Sequence, residues 1–419
     1  MFPQGAYKIV KTFFIAFVMV LLSTTVTLAQ TTKRASYMFS GSMSRHVLES
    51  YLSRSVTHSG LCASSPETPT SCLTDDIRML TAIGAKFVGR AAYSWDAPQN
   101  DDAHFRQAAE AATAVHKADS QIILQACVFE TIYRDAGKIP VPDWVFIEFG
   151  VAPEKRNFNY EAMLYDGGLY HDKWMPGASV PDMSKRETRM WFFYRARRYI
   201  DAGFEDIHFG QVHLMDNNDP GHRNWLDMLT RVRRYAAVKA RRHFVLCDAH
   251  THGVFVDGTS LFDFNAWPMR PVEMSSRPQH VEFISGSGDS IYGHSLGGRT
   301  PSGWVCDSLP YLVEFDNWAS SGQGGRSGPG MPWLWGYDEI CWFAHQDQKY
   351  RDAFLHYAWN WVRNEDPNGW LQMPTRRSLA DSLAGGSINM YEANNKSQAC
   401  PAGFSQEDTI RYVWEHPGH

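Results

Sequence analysis

Apolar and polar positions along this chain follow two periods in turn. Short runs rich in β-branched and aromatic residues fall at 36–44 (ASYMFSGSM), 86–95 (KFVGRAAYSW), 120–130 (SQIILQACVFE) and 204–215 (FEDIHFGQVHLM). Four more fall at 243–250 (HFVLCDAH), 261–270 (LFDFNAWPMR), 309–318 (LPYLVEFDNW) and 369–374 (GWLQMP). Each reads as a strand. Between them lie stretches of helical period: HVLESYLSRS, DDIRMLTAIG stopped by Gly84, DDAHFRQAAEAATAVHKAD with its acidic first turn, KRETRMWFFYRARRYIDAG, RNWLDMLTRVRRYAAVKARR and KYRDAFLHYAWNWVRNE. Strand–helix alternation implies parallel pairing with right-handed crossovers. Eight strands counted this way predict an α/β chain, a (β/α)8 TIM barrel with long βα loops; a doubly wound open sheet would give the same local alternation.

The rhythm breaks at 131–184, a long irregular stretch of Pro, Gly, Trp and Tyr, and connections of that length after a strand are usually functional. At the other end of the chain, Lys8 and Lys11 precede the apolar run TFFIAFVMVLLSTTV, and Thr27-Leu28-Ala29 offers small residues for a signal peptidase. The expected organisation is a signal peptide over 1–29 and a single barrel over 30–419, exported to the periplasm or outside the cell; a retained signal anchor is the alternative. Export permits disulfides, and Cys62 and Cys72 bracket a polar loop that a bridge would restrain. Cys127 and Cys247 lie inside strand-like runs and read as buried free thiols.

Charge narrows the partners. A net charge of −5 without a long basic run argues against nucleic acid and, after signal cleavage, against an anionic membrane. Aromatics make up 14% of the residues, more than a core of this size requires, and indole faces stack on the C–H surfaces of sugars. No cofactor is expected, and the oligomeric state is left open.

In a barrel of this kind the active site lies at the carboxyl ends of the strands. Those ends supply Arg90, Tyr93 and Trp95, then Glu130, then Gln211, His213 and Asp216, then Asp248, His250 and His252. Trp267 and Arg270 end the sixth, Glu314, Asp316, Asn317 and Trp318 the seventh, and Asp338 and Glu339 open the following helix. Cleaving a glycosidic bond takes one protonated carboxyl and one carboxylate. Glu314 is the first choice, Glu130 the second, and Asp248 and Asp216 the reserves. Arg90 and Arg270 are candidates for sugar recognition, with structural ion pairing as the plainer role. Trp95, Trp267, Trp318, Trp333 and Trp335 are candidate platforms. Gln211, His213, His250 and Asn317 are candidate hydrogen-bonding groups.

The set resembles the barrel glycoside hydrolases, especially the large clan whose two catalytic carboxylates end the fourth and seventh strands. Glu314 in VEFDNW matches the place of that clan's nucleophile, whereas Gln211-Val212-His213 stands where the clan carries Asn-Glu. The resemblance implies a secreted glycosidase acting on a complex polysaccharide or oligosaccharide. Two other readings stay open: a metal-dependent barrel hydrolase built on Asp248, His250 and His252, and a glycan-binding protein without catalysis.

Overall fold

The computed structural model describes residues 35–63, 73–95, 100–318, 321, 323–326 and 334–416. The signal segment, Cys72 and Trp333 lie outside these residues, so the expected Cys62–Cys72 bridge does too.

The principal sheet is a curled, mostly parallel array of ten strands: β1 (Ser55–His58), β2 (Phe87–Tyr93), β3 (Ile123–Cys127), β4 (Asp206–Gln211), β5 (Leu246–His250), β6 (Phe264–Pro268), β7 (Tyr311–Glu314), β8 (Gly369–Leu371), β9 (Met373–Leu383) and β10 (Ile388–Glu392). In space the order runs β8-β7-β6-β5-β4-β3-β2-β1-β9-β10, and only β9 and β10 are antiparallel. β8 and β9 follow one another in the chain, separated only by Gln372; β8 pairs with β7 and β9 with β1. The helices of seven residues or more are α1 (Arg45–Leu52), α2 (Leu73–Ile83), α3 (Asp101–Ala118), α4 (Arg186–Asp201), α5 (Arg223–Lys239), α6 (Glu339–His345), α7 (Gln348–Glu365) and α8 (Glu407–Glu415). None of the described helices is long and apolar enough to cross a membrane.

The first strand is a correction. Residues 36–44 form no strand: Ser44 caps α1, its hydroxyl accepting from the Val47 N–H, and Met43 packs beside Val47, Leu48 and Tyr51. The strand is Ser55–His58, and Ser55 and Thr57 disguise it by turning hydroxyls toward the concave face.

Side-chain chemistry on that face changes along the strands. Phe87, Ile123, Leu246, Phe264 and Leu312 make an apolar floor at the amino ends, closed from beneath by Val47, Leu48, Tyr51 and Leu52 of α1. Two residues further along, the same face carries Gly89, Gln125, Asp248 and Glu314, since side chains at i and i+2 share a face. Glycine is needed at position 89, where a Cβ would lie 2.1 Å from Gln372 Nε2. A larger apolar cluster fills the space between strands and helices, around Phe192, Trp225 and Trp342. The irregular 131–184 excursion has its own small core, in which Ile132, Val145, Phe146 and Phe158 pack on Trp191 and Tyr194 of α4. Much of the aromatic excess is therefore structural. Cys127 and Cys247 are buried and free.

Candidate functional site

Glu314 ends β7 beneath a crowd of cations. Arg90 grips it with both arms: Nε donates to Oε2 at 2.9 Å and Nη2 donates to Oε1. Arg377 Nη1 donates to Oε2 at 3.3 Å, Thr57 Oγ1 donates to the same oxygen at 3.4 Å, and His250 Nε2 stands 3.4 Å from Oε1. Burial pushes the Glu314 carboxyl up, but Arg90, Arg377 and His250 outweigh it and hold the group well below the ordinary glutamate range. Glu314 is a carboxylate at any working pH.

Local backbone geometry brings Arg90 there. Val88 faces Leu124 and Ala92 faces Ala126, so four steps along β2 match two along β3. The extra residues form a bulge, and Arg90 within it has φ +57°, a left-handed conformation costing a non-glycine residue about 1–2 kcal/mol. Gln125 Oε1 accepts the Arg90 N–H at 2.9 Å, and the guanidinium lies 5.1 Å from the Phe129 ring centre.

Glu130 follows β3 and is buried against the end of β4. Its Oε2 accepts the Gln211 N–H at 3.0 Å and its Oε1 accepts Gln211 Nε2 at 2.6 Å. A Cβ on Gly210 would come within 1.9 Å of Glu130 Oε2, so the approach requires glycine, and Gly210 takes φ +70° at a second bulge. An aromatic wall stands beside it: Trp95 lies 5.0 Å from Phe129 and 5.9 Å from Trp174, whose Nε1 donates to the Glu130 carbonyl at 3.3 Å. Trp174 comes from the excursion and was not among the residues expected from sequence.

Beneath the mouth Asp206 and Asp248 form a fully buried pair. Gln125 Nε2 donates to Asp206 Oδ2 at 2.8 Å and to Asp248 Oδ1 at 2.9 Å, while His208 Nδ1 lies 2.8 Å from Asp248 Oδ2. Burial pushes both carboxyls well above the ordinary aspartate range, with the charge of Asp248 adding to the rise at Asp206 and that of Glu314 to the rise at Asp248, so the pair holds a proton. Asp248 is thus the foundation of the mouth and not a group open to it. Among the described residues no three His, Cys, Asp or Glu side chains are grouped to hold a metal ion. The expected HxH divides: His250 faces Glu314, whereas His252 packs 4.5 Å from Trp267.

No protein-family model and no curated protein matches the chain. Its neighbours among solved structures are glycoside hydrolases. The glycoside hydrolase domain of PelA from Pseudomonas aeruginosa is 9% identical over 62% of this chain and 83% of that one, with a TM-score of 0.29. The γ-CGTase of the alkalophilic Bacillus clarkii is 10% identical over 87% and 56%, at 0.42, and the Nostoc punctiforme debranching enzyme 10% identical over 88% and 82%, at 0.39. These overlaps are partial, and the reading of the site rests on its own side chains.

The remaining expected residues divide into four groups. Asn317 joins the mouth, its Oδ1 accepting from Arg377 Nη2 at 2.7 Å. Arg270 is committed to ion pairs: Nη1 donates to Asp316 at 2.9 Å, Nε to Asp289 at 2.9 Å, and its backbone N–H to Glu339 at 2.9 Å. Trp318 stands exposed and Trp267 half-buried, while Trp335 is buried with its N–H donated to Glu273. Asp216 and His213 lie apart from Glu314. β4 stops at Gln211 and the chain turns into a short helix, Val212–Met215, which exposes His213 and leaves Asp216 3.4 Å from His222. Sequence reasoning missed His208 and Arg377; the period-two placement of Asp206 and His208 in DIHFGQ, beside Asp248 and His250 in LCDAH, was the available signal.

Proposed function

We propose that this chain is an exported glycoside hydrolase, built on a (β/α)8 barrel and cleaving glycosidic bonds of a complex polysaccharide or oligosaccharide. Barrel closure is supported by β8 and β9, which adjoin through Gln372 and pair with the seventh and first strands respectively. The observation that carries the activity is the mouth itself: Glu314 is held ionised at one strand end, and Glu130 lies buried after another. Both act electrostatically on the imidazole of His208, which supports a site shared by the two carboxyls.

In this reading Glu130 passes its proton to the glycosidic oxygen as the bond to the anomeric carbon breaks. Glu314 supplies the opposing carboxylate. Arg90 and Arg377 orient Glu314 and keep it unprotonated, and Trp95 and Trp174 form a wall on which a sugar ring can stack. Separation of the two carboxyls sets the stereochemistry, which the first-formed anomer reads by proton NMR. Glu314→Gln and Glu130→Gln, assayed on a panel of aryl glycosides and plant and host glycans, are expected to abolish turnover while sugar binding persists. Full activity in both variants overturns the assignment. Binding without turnover in the wild type would favour a glycan-binding protein instead.

A further inference from the structure

His208 sits on β4 with its ring on the concave face, buried to 3% exposure. Its Nδ1 is 2.8 Å from Asp248 Oδ2, but its Nε2 is buried with no hydrogen-bond partner among the described residues. The ring packs 4.8 Å from His250 and 5.8 Å from Phe129, both at the floor of the mouth. Around it stand Arg90 from β2, Glu130 after β3, Asp206 from its own strand, Asp248 and His250 from β5, and Glu314 from β7. Asp248 sets the tautomer. Its Oδ1 accepts from Gln125 Nε2 and its Oδ2 lies 2.8 Å from His208 Nδ1, so an accepting Oδ2 puts the ring proton on Nδ1. Nε2 is left as a buried lone pair with no partner among the described residues. Burial and the nearby Arg90 push the His208 pKa down to about 4, so the ring stays neutral and Nε2 stays an acceptor.

We propose that His208 is a substrate-binding residue whose Nε2 accepts a hydrogen bond from a hydroxyl of the bound sugar. This rests on the glycosidase reading. An amino or ammonium group would have to compete with Arg90, already present as the cation of the mouth, whereas a neutral hydroxyl supplies the one thing Nε2 lacks. Asp248 is then a positioning residue, setting which ring nitrogen faces the ligand.

The test begins on the wild-type protein labelled with nitrogen-15 in its histidines. His208 should carry its proton on Nδ1 and remain neutral down to about pH 5. Titration with glucose, galactose, N-acetylglucosamine and galacturonic acid should move the Nε2 resonance upfield for any sugar that also inhibits turnover. His208→Phe should lower kcat/KM roughly 10- to 100-fold, the cost of a buried hydroxyl left unpaired. His208→Gln, which returns an acceptor oxygen, should recover part of that loss at unchanged melting temperature. A proton found on Nε2, or a Phe variant within about twofold of wild type, overturns the proposal. If the wild type cleaves no glycoside yet a sugar shifts Nε2, the glycosidase reading fails and His208 stands. Cleavage with a protonated Nε2 gives the reverse.

Discussion

Arg377→Met separates the cation that positions Glu314 from the one that merely stabilises it. Arg377 is fully buried, its Nη1 is 3.3 Å from Glu314 Oε2, and its Nε has no partner among the described residues. Two guanidiniums face one glutamate, and Arg90 alone already engages both its oxygens. At an effective dielectric constant of about 20, charges some 3–4 Å apart interact by about 4–5 kcal/mol, equivalent to about 3 pKa units. Removing Arg377 should therefore raise the pKa of Glu314 from its lowered position toward the ordinary glutamate range. The sign follows from linkage: the folded pKa of Glu314 lies below its unfolded value. Its contribution is present above the unfolded pKa, near 4.5, and is lost as pH falls through the folded one. In the variant that loss begins at higher pH. At pH 7 the lost attraction is offset because a guanidinium with an unpaired Nε no longer has to be buried, so net stability should change by less than about 2 kcal/mol. Glu314→Gln, which strands both cations, should cost about 3–5 kcal/mol. Denaturant unfolding at stepped pH gives the first comparison, and kcat/KM against pH on any aryl glycoside that is cleaved gives the second. An acid limb that does not move, or a pH 7 loss as large as that of Glu314→Gln, would refute the idea that Arg377 is the surplus cation.

Asp338 caps α6, its Oδ1 accepting the Cys341 N–H at 2.7 Å, and burial raises its pKa to about 7. A raised carboxyl stabilises fully below its unfolded pKa near 3.8 and loses that contribution as pH rises through 7. Asn caps equally well, so Asp338→Asn should flatten the stability profile between pH 4 and 7 and be more stable than wild type at pH 8 by about 2–4 kcal/mol. Parallel profiles for the two proteins would count against this. Gly210→Ala puts a Cβ within 1.9 Å of Glu130 Oε2 at φ +70°. It should cost about 2 kcal/mol or more in thermal unfolding and displace Glu130. Wild-type turnover in that variant would argue against Glu130 as the second carboxyl.

The strands with continuous apolar runs were legible because burial on both faces leaves no other composition open to them. β1 was not, since its inward residues are hydroxyls and the apolar residues just before it belong to a capped helix under the apolar floor of the sheet. The site was legible where a run of polar residues follows a strand directly, as Glu314 through Asn317 do after YLV. It was obscured where the chain departs from strand geometry. Extending the fourth strand through Met215 placed His213 and Asp216 in the mouth; the bulge at Gly210 and the turn after Gln211 carry them away from it. Ending the last strand at Pro374 hid Arg377, three residues further along a strand that continues to Leu383. Arg90 was found, but its grip on Glu314 depends on a left-handed residue inside a strand, which no alternation pattern signals.

The buried carboxyls of the mouth are sorted by environment, and the sorting narrows their roles. Glu314 is pinned as an anion by two guanidiniums. Asp206 and Asp248 share a proton beneath it, sealed from solvent by the same side chains that hold them. Glu339, raised to about 7 by burial, has both oxygens occupied by the backbone N–H groups of Arg270 and Asp316, each at 2.9 Å, and so ties the ends of β6 and β7 together. Asp338 is committed to its helix cap. Glu130 alone is held on its two oxygens by a single neighbour, Gln211, with a lone pair on each still unassigned. Acid and base in one site require carboxyls whose environments differ. If the chain is a glycosidase as proposed, that requirement leaves Glu130 as the candidate proton donor opposite Glu314, because the other buried carboxyls named above each have a structural task.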